Sequence, residues 1–177
     1  MSMKVNFEQL WAIANREAQP ISETFNEAFV SIGLRLEIPT KPKGYYCTPL
    51  NVKTFAGTGC DGVHFSFLEM DDRPLSNSPV IMTVPTNFHG QQNVIIGENL
   101  YDFLCLGCRA GYSVLEEFSW SNGQLEPIRS NQYADYLDQQ QINLIEILNQ
   151  ELSLEPWSSL EDKIISLNST YLSHLIY

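Results

Sequence analysis

The chain has 177 residues, 44% of them apolar and 11% aromatic, and its 10 Lys and Arg stand against 21 Asp and Glu, a formal charge of −11. A chain of this length and composition reads as one globular domain over residues 1–177, burying roughly 70% of its unfolded surface without a disulfide or metal, which excludes intrinsic disorder, collagen-like repeats and small disulfide frameworks. The negative balance speaks against a bare nucleic-acid backbone as partner, because phosphate neutralisation takes clustered Lys and Arg.

Phe7, Leu10, Trp11, Ala14 and Ala18 follow the 3,4 spacing of one helix face and predict a helix that stops at Pro20. A second short helix is expected after it, with Ser22 as N-cap, Phe25, Ala28, Phe29 and Ile32 on its buried side, and Gly33 closing it in the left-handed conformation. Pro39 to Gly44 reads as a connector, and from Tyr45 the apolar period shifts from 3.6 toward 2.

Val52 to Ala56 and Val63 to Leu68 read as strands around a glycine-rich turn, with Val63, Phe65 and Phe67 on one face and His64 and Ser66 on the other. Val80 to Val84 and Asn93 to Ile96 add two more, either central in the sheet or covered on both faces. After Gly97 the helical period returns. Leu100, Phe103, Leu104 and Cys108 share a face, Asp102 lies in the first turn, where the helix dipole favours a carboxylate, and Gly111 terminates. Ser113 with Glu116 has the spacing of a capping box for a helix through Trp120, and Ser121 to Ser130 reads as a loop. Leu137, Leu144, Ile145, Leu148 and Leu152 mark a longer helix. A last one, capped by Ser158 and Glu161, is lined by Leu160, Ile164, Leu167, Tyr171 and Leu175. Helices, a block of strands, then helices predict an α+β fold whose mostly antiparallel sheet, residues about 45–96, is packed by N-terminal and C-terminal helices.

Glu8, Arg16, Glu17, Glu23 and Glu27 break up the first thirty residues, so no signal peptide is expected. The longest stretch free of charged residues, Pro74 to Gly97, contains three prolines and is no membrane helix. Four cysteines in that setting point to reduced thiols and a cytoplasmic location. From Pro74 onward there are three basic and twelve acidic residues, a net of −9, so the C-terminal helices are expected to present acidic outer faces.

Several patterns carry chemistry elsewhere. Gly57, Gly59 and Gly62 spell G-x-G-x-x-G, the dinucleotide fingerprint, but a period-2 strand follows where a helix N-terminus must face the pyrophosphate. A hairpin turn with Asp61-Gly62 supplying positive φ accounts for them better. Cys105 and Cys108 have C-x-x-C spacing, yet zinc needs two more ligands, and Cys47 and Cys60 lie far upstream without knuckle spacing, so packed structural thiols are expected. Cys60 and His64, if both lay in the strand, would share a face but stand roughly 13 Å apart, beyond the reach of a nucleophile and its base. Asp71 and Asp72 lack the ligand spacing of a calcium loop. No catalytic residue, metal ligand or cofactor is assigned.

The stretch from Thr54 to Leu68 (TFAGTGCDGVHFSFL), then Ser78 to Met82 (SPVIM), then Ile96 to Leu104 (IGENLYDFL), resembles the SMI1/KNR4 (SUKH) superfamily over about residues 52 to 106. Members share a strand ending in an Ala-x-x-Gly-like turn, a strand with alternating aromatics, a Pro-Val strand and a helix ending in Phe-Leu. The early Leu-Pro and Asn-Gly element is reduced here to Ile38-Pro39, and the C-terminal helices extend beyond the family core. The resemblance implies an α+β domain without catalytic residues that binds a protein, as a toxin-neutralising immunity protein or an interaction adaptor. The expected partner is a protein, such as a toxin domain with a basic surface, and neither nucleic acid nor membrane. Tyr45, Tyr46, Asp61, His64, Asp71 and Asp72 are the surface positions expected to contribute. The alternative is an enzyme or small-ligand-binding protein whose pocket the sequence does not show.

Overall fold

The computed structural model describes residues 5–18, 24–70, 73–120 and 132–177. Pro20, Ser22, Asp71, Asp72 and the stretch 121–130, expected to be a loop, lie outside the described residues. The sheet has five strands in the order of the chain: β1 (Arg35–Leu36), β2 (Val52–Gly57), β3 (His64–Leu68), β4 (Val80–Thr83) and β5 (Asn93–Gly97), each antiparallel to the next. Among the described residues the α-helices are α1 (Phe7–Ala18), α2 (Leu100–Gly107), α3 (Glu117–Trp120), α4 (Gln139–Leu152) and α5 (Leu160–Tyr171). The protein is therefore α+β, with helices flanking an antiparallel sheet, as the periods in the sequence predict.

The sheet begins earlier than Tyr45. Two residues of β1 pair with the end of β2, Arg35 opposite Gly57 and Leu36 opposite Ala56. A strand this short has no periodicity to reveal it. The segment at 25–32 is irregular turns ending in a 3₁₀ turn, Val30–Ile32, rather than a helix, although Gly33 closes it with φ of 77° as expected. Ser113 does not cap. It lies inside a 3₁₀ turn, Ser113–Glu116, that runs into α3. Reciprocal capping boxes form instead at α1, between Asn6 and Gln9, and at α4, where the Asp138 carboxylate accepts from the Gln141 N–H and the Gln141 side chain accepts from the Asp138 N–H. At α5 the N-cap is Ser159, one residue later than expected, and its hydroxyl donates to Asp162.

The two faces of the sheet are covered differently. On one, Phe55, Phe65, Phe67, Met82, Val94 and Ile96 meet α1 and α2 in the main core, with Phe103 packed against Phe55, Phe65 and Tyr112. Gly97 lets α2 approach β5 closely, since a Cβ there would lie 2.8 Å from the Phe103 nitrogen. On the other face, Val52, Leu68, Ile81 and Ile95 are capped by Leu167 and Tyr171 of α5. The rest of that face is polar and equally buried: Thr54, Ser66, His64, Thr83 and Asn93.

The outer edge of β5 needs a partner for its backbone. Asn168 supplies it: its amide oxygen accepts from the Ile95 N–H at 2.9 Å and its nitrogen donates to the Ile95 carbonyl at 3.0 Å, the pattern another strand would make. The start of α5 is anchored separately. Lys163 pairs with Asp102 and lies over the Trp157 ring, whose N–H donates to the Asp102 carbonyl.

Replacing Asn168 by Leu is expected to destabilise the fold by about 1–3 kcal/mol, the usual cost of stranding part-buried polar groups, and to promote self-association through the freed edge. Denaturant unfolding and light scattering on the variant check this; wild-type stability with a monomeric profile would contradict it.

Candidate functional site

The β2–β3 hairpin organises the residues singled out in the sequence. Its turn places Asp61 and Gly62 in the left-handed region, with φ of 51° and 73°, as the Asp-Gly pair predicts. Gly62 is also required for space, because a Cβ there would lie 2.5 Å from the Tyr45 hydroxyl. Tyr45 folds over this turn and stacks on His64, centroids 5.6 Å apart. Tyr45, Asp61 and His64 thus line one cleft of about 190 Å³ together with Cys60, Lys43 and Glu37, the last two an ion pair. The volume is below the roughly 300–1,000 Å³ of small-molecule sites.

His64 is not a surface residue. It is 1% exposed, its Nδ1 lies 2.7 Å from the Gly62 carbonyl and its Nε2 3.0 Å from the Thr48 hydroxyl. A carbonyl only accepts, so Nδ1 carries the proton and Nε2 accepts from Thr48. Both nitrogens are occupied, and Cys60 sits in the exposed turn rather than in the strand, so the imidazole is not poised as a base for that thiol. Burial holds the His64 pKa below its ordinary 6.5, opposed by the Gly62 carbonyl and reinforced by Lys43.

Asp61 is exposed. Its charge, with that of Glu117, adds to burial in raising the Glu116 carboxyl, so the turn has an acidic flank. Exposed Glu146, Glu155, Glu161 and Asp162 give α4, α5 and the segment between them the acidic outer faces expected. Cys105 and Cys108 are buried free thiols on and just after α2. Burial raises both, Cys108 to about 11, and they sit at the C-terminal end of the helix, where the dipole disfavours a thiolate.

Tyr46 points to a different region from its neighbour. It is 71% exposed and runs parallel to Phe88, itself 70% exposed, with centroids 6.5 Å apart and planes at 4°. Gln92 donates to the Tyr46 hydroxyl, and Tyr46 and Tyr177 line a cleft of about 520 Å³. Exposed Leu50 donates its N–H to the carbonyl of Ile176, the residue before Tyr177. Of the ten exposed large apolar residues among those described, Tyr46, Phe88 and Tyr177 are linked here, by the ring pair and the shared cleft. Tyr46 apart, sequence reasoning passed over them, because Phe88 falls in an aperiodic loop and Tyr177 lies 131 positions from Tyr46 in the chain.

No protein-family model, curated protein or solved structure matches the chain. Among the described residues, no helix is long and apolar enough to cross a membrane.

Two measurements follow from this geometry. A histidine whose folded pKa is lowered binds its proton more weakly than in the unfolded chain, so unfolding stability is full above pH 6.5 and falls as the pH drops below it. Denaturant unfolding at pH 7.5, 6.5 and 5.5 should show that loss in wild type and a shallower one in His64→Gln; equal slopes would contradict it. A thiol reagent should modify Cys60 at once and Cys47, Cys105 and Cys108 only on unfolding. Rapid labelling of four thiols in the native protein would refute the burial described.

Proposed function

We propose that the protein is a non-catalytic protein-binding module whose contact surface includes the exposed cluster of Tyr46, Phe88 and Tyr177. The observation that carries this reading is the clustering itself. Single exposed apolar residues are ordinary on any surface, whereas two exposed parallel aromatic rings beside a cleft shared with Tyr177 have the composition of an interface centre. The formal charge of −11 favours a partner with a basic surface, and the acidic faces of α4 and α5 with the Asp61 flank would steer its approach. The resemblance of residues 52 to 106 to SMI1/KNR4 proteins supports the finer reading, an immunity-like inhibitor of a toxin or an interaction adaptor acting in the cytoplasm. Asp61 on the hairpin turn and Tyr45 folded over that turn belong at the rim of the contact. His64 acts beneath it, by holding Tyr45 and the Thr48 segment.

In this reading surface charge sets the rate of encounter and the aromatic patch sets the lifetime of the complex. With a partner captured from the native host, Asp61→Lys should slow association more than it speeds dissociation, and the difference should shrink at high salt. Phe88→Ala should act on dissociation. A pure preparation that turns over a small molecule and retains no protein partner would contradict the proposal.

A further inference from the structure

Resting on the protein-binding reading, we infer that the Tyr46–Phe88 pair is a recognition site for an arginine side chain of the partner protein. The rings are parallel to within 4° and both largely exposed, so a planar group laid against one is parallel to the other as well. Guanidinium is the planar, delocalised and weakly hydrated cation among the side chains, and it stacks on aromatic faces where an ammonium makes only a point contact.

The surroundings fit a donor-rich cation. Gln92 Nε2 donates both to the Tyr46 hydroxyl at 2.6 Å and to the Pro85 carbonyl at 3.0 Å. Because a carbonyl cannot donate, the second bond fixes the amide orientation, and what Gln92 still offers is its carbonyl oxygen, an acceptor. That suits a guanidinium N–H and disfavours a carboxylate. The residues lining the cleft beside Tyr46, among those described, carry no charged side chain. The net charge of −11 supplies the long-range attraction that an uncharged aromatic site lacks by itself.

The test uses the full chain, isotopically labelled for NMR, titrated with a short arginine-rich peptide and with the lysine peptide of equal length and charge. Arginine should move the amide signals of Tyr46, Phe88, Gln92 and Tyr177 and bind several-fold more tightly than lysine. The Tyr46→Ala/Phe88→Ala double variant should weaken the arginine peptide at least about tenfold, the size of an interface hot spot. Both rings are exposed, so its circular dichroism should match wild type; should it misfold, Gln92→Leu is the second variant, expected to reduce the preference for arginine over lysine. Equal binding of the two peptides that neither variant alters, signal changes confined to α4 and α5, or no arginine binding at all would each overturn the site. None of these outcomes bears on whether a host protein is captured, so failure of the arginine site is distinct from failure of the protein-binding reading.

Discussion

The arrangement of this protein depends on a buried polar row across the second face of its sheet. In a bare sheet the side chains of Thr54, Ser66, His64, Thr83 and Asn93 would form hydrogen bonds with water; in the fold they are covered, and each must find a partner or cost about 1–3 kcal/mol. They find one another across the strands, Thr54 with Ser66 at 2.9 Å and Thr83 with Asn93 at 2.7 Å. What remains is met by a segment with no regular structure of its own. Thr54 accepts from the Lys43 N–H, His64 accepts from Thr48, and Asn93 donates to the Cys47 carbonyl, with a further bond to Tyr177 outside that segment. The row is thus the reason that residues 41–50 cross the sheet where they do.

That crossing produces the surface. Once Lys43 and Thr48 are fixed, Tyr45 and Tyr46 leave the backbone on different sides, the first closing over His64 and Gly62, the second standing beside Phe88. Tyr177 comes to the same place through Asn93, and the Asn51 side chain holds the stretch before it, donating to the His174 carbonyl and accepting from the Ile176 N–H. The other half of the face is held by apolar burial under α5, with Asn168 closing the edge of β5. One face therefore uses two kinds of cover: a helix over aliphatic residues and an irregular segment over polar ones.

The fold class and β2 to β5 were legible in the sequence because their periods are long enough to read, as were α1, α2 and the two C-terminal helices. The Asp61-Gly62 turn was legible because positive φ at consecutive positions demands those residue types. β1 was not, being two residues long. Ser113-x-x-Glu116 and Asp138-x-x-Gln141 both have capping-box spacing, and only tertiary placement decided that the second one forms. At the candidate site the alternation of β3 placed His64 opposite Phe65 and Phe67, and on a sheet with one wet face that would expose it. What covers it comes from residues 45–48, which carry no periodic signal. The aromatic patch joins residues 46, 88 and 177, a juxtaposition created by the fold alone.

The claim that the polar row holds the contact surface in place is tested most directly by hydrogen exchange on Asn93→Leu, which keeps the side-chain bulk and removes the bonds to Thr83, Cys47 and Tyr177. Faster exchange is expected through residues 45–50 and 174–177, with protection retained in β2 to β4 and α2. Unchanged exchange in residues 45–50 would contradict it.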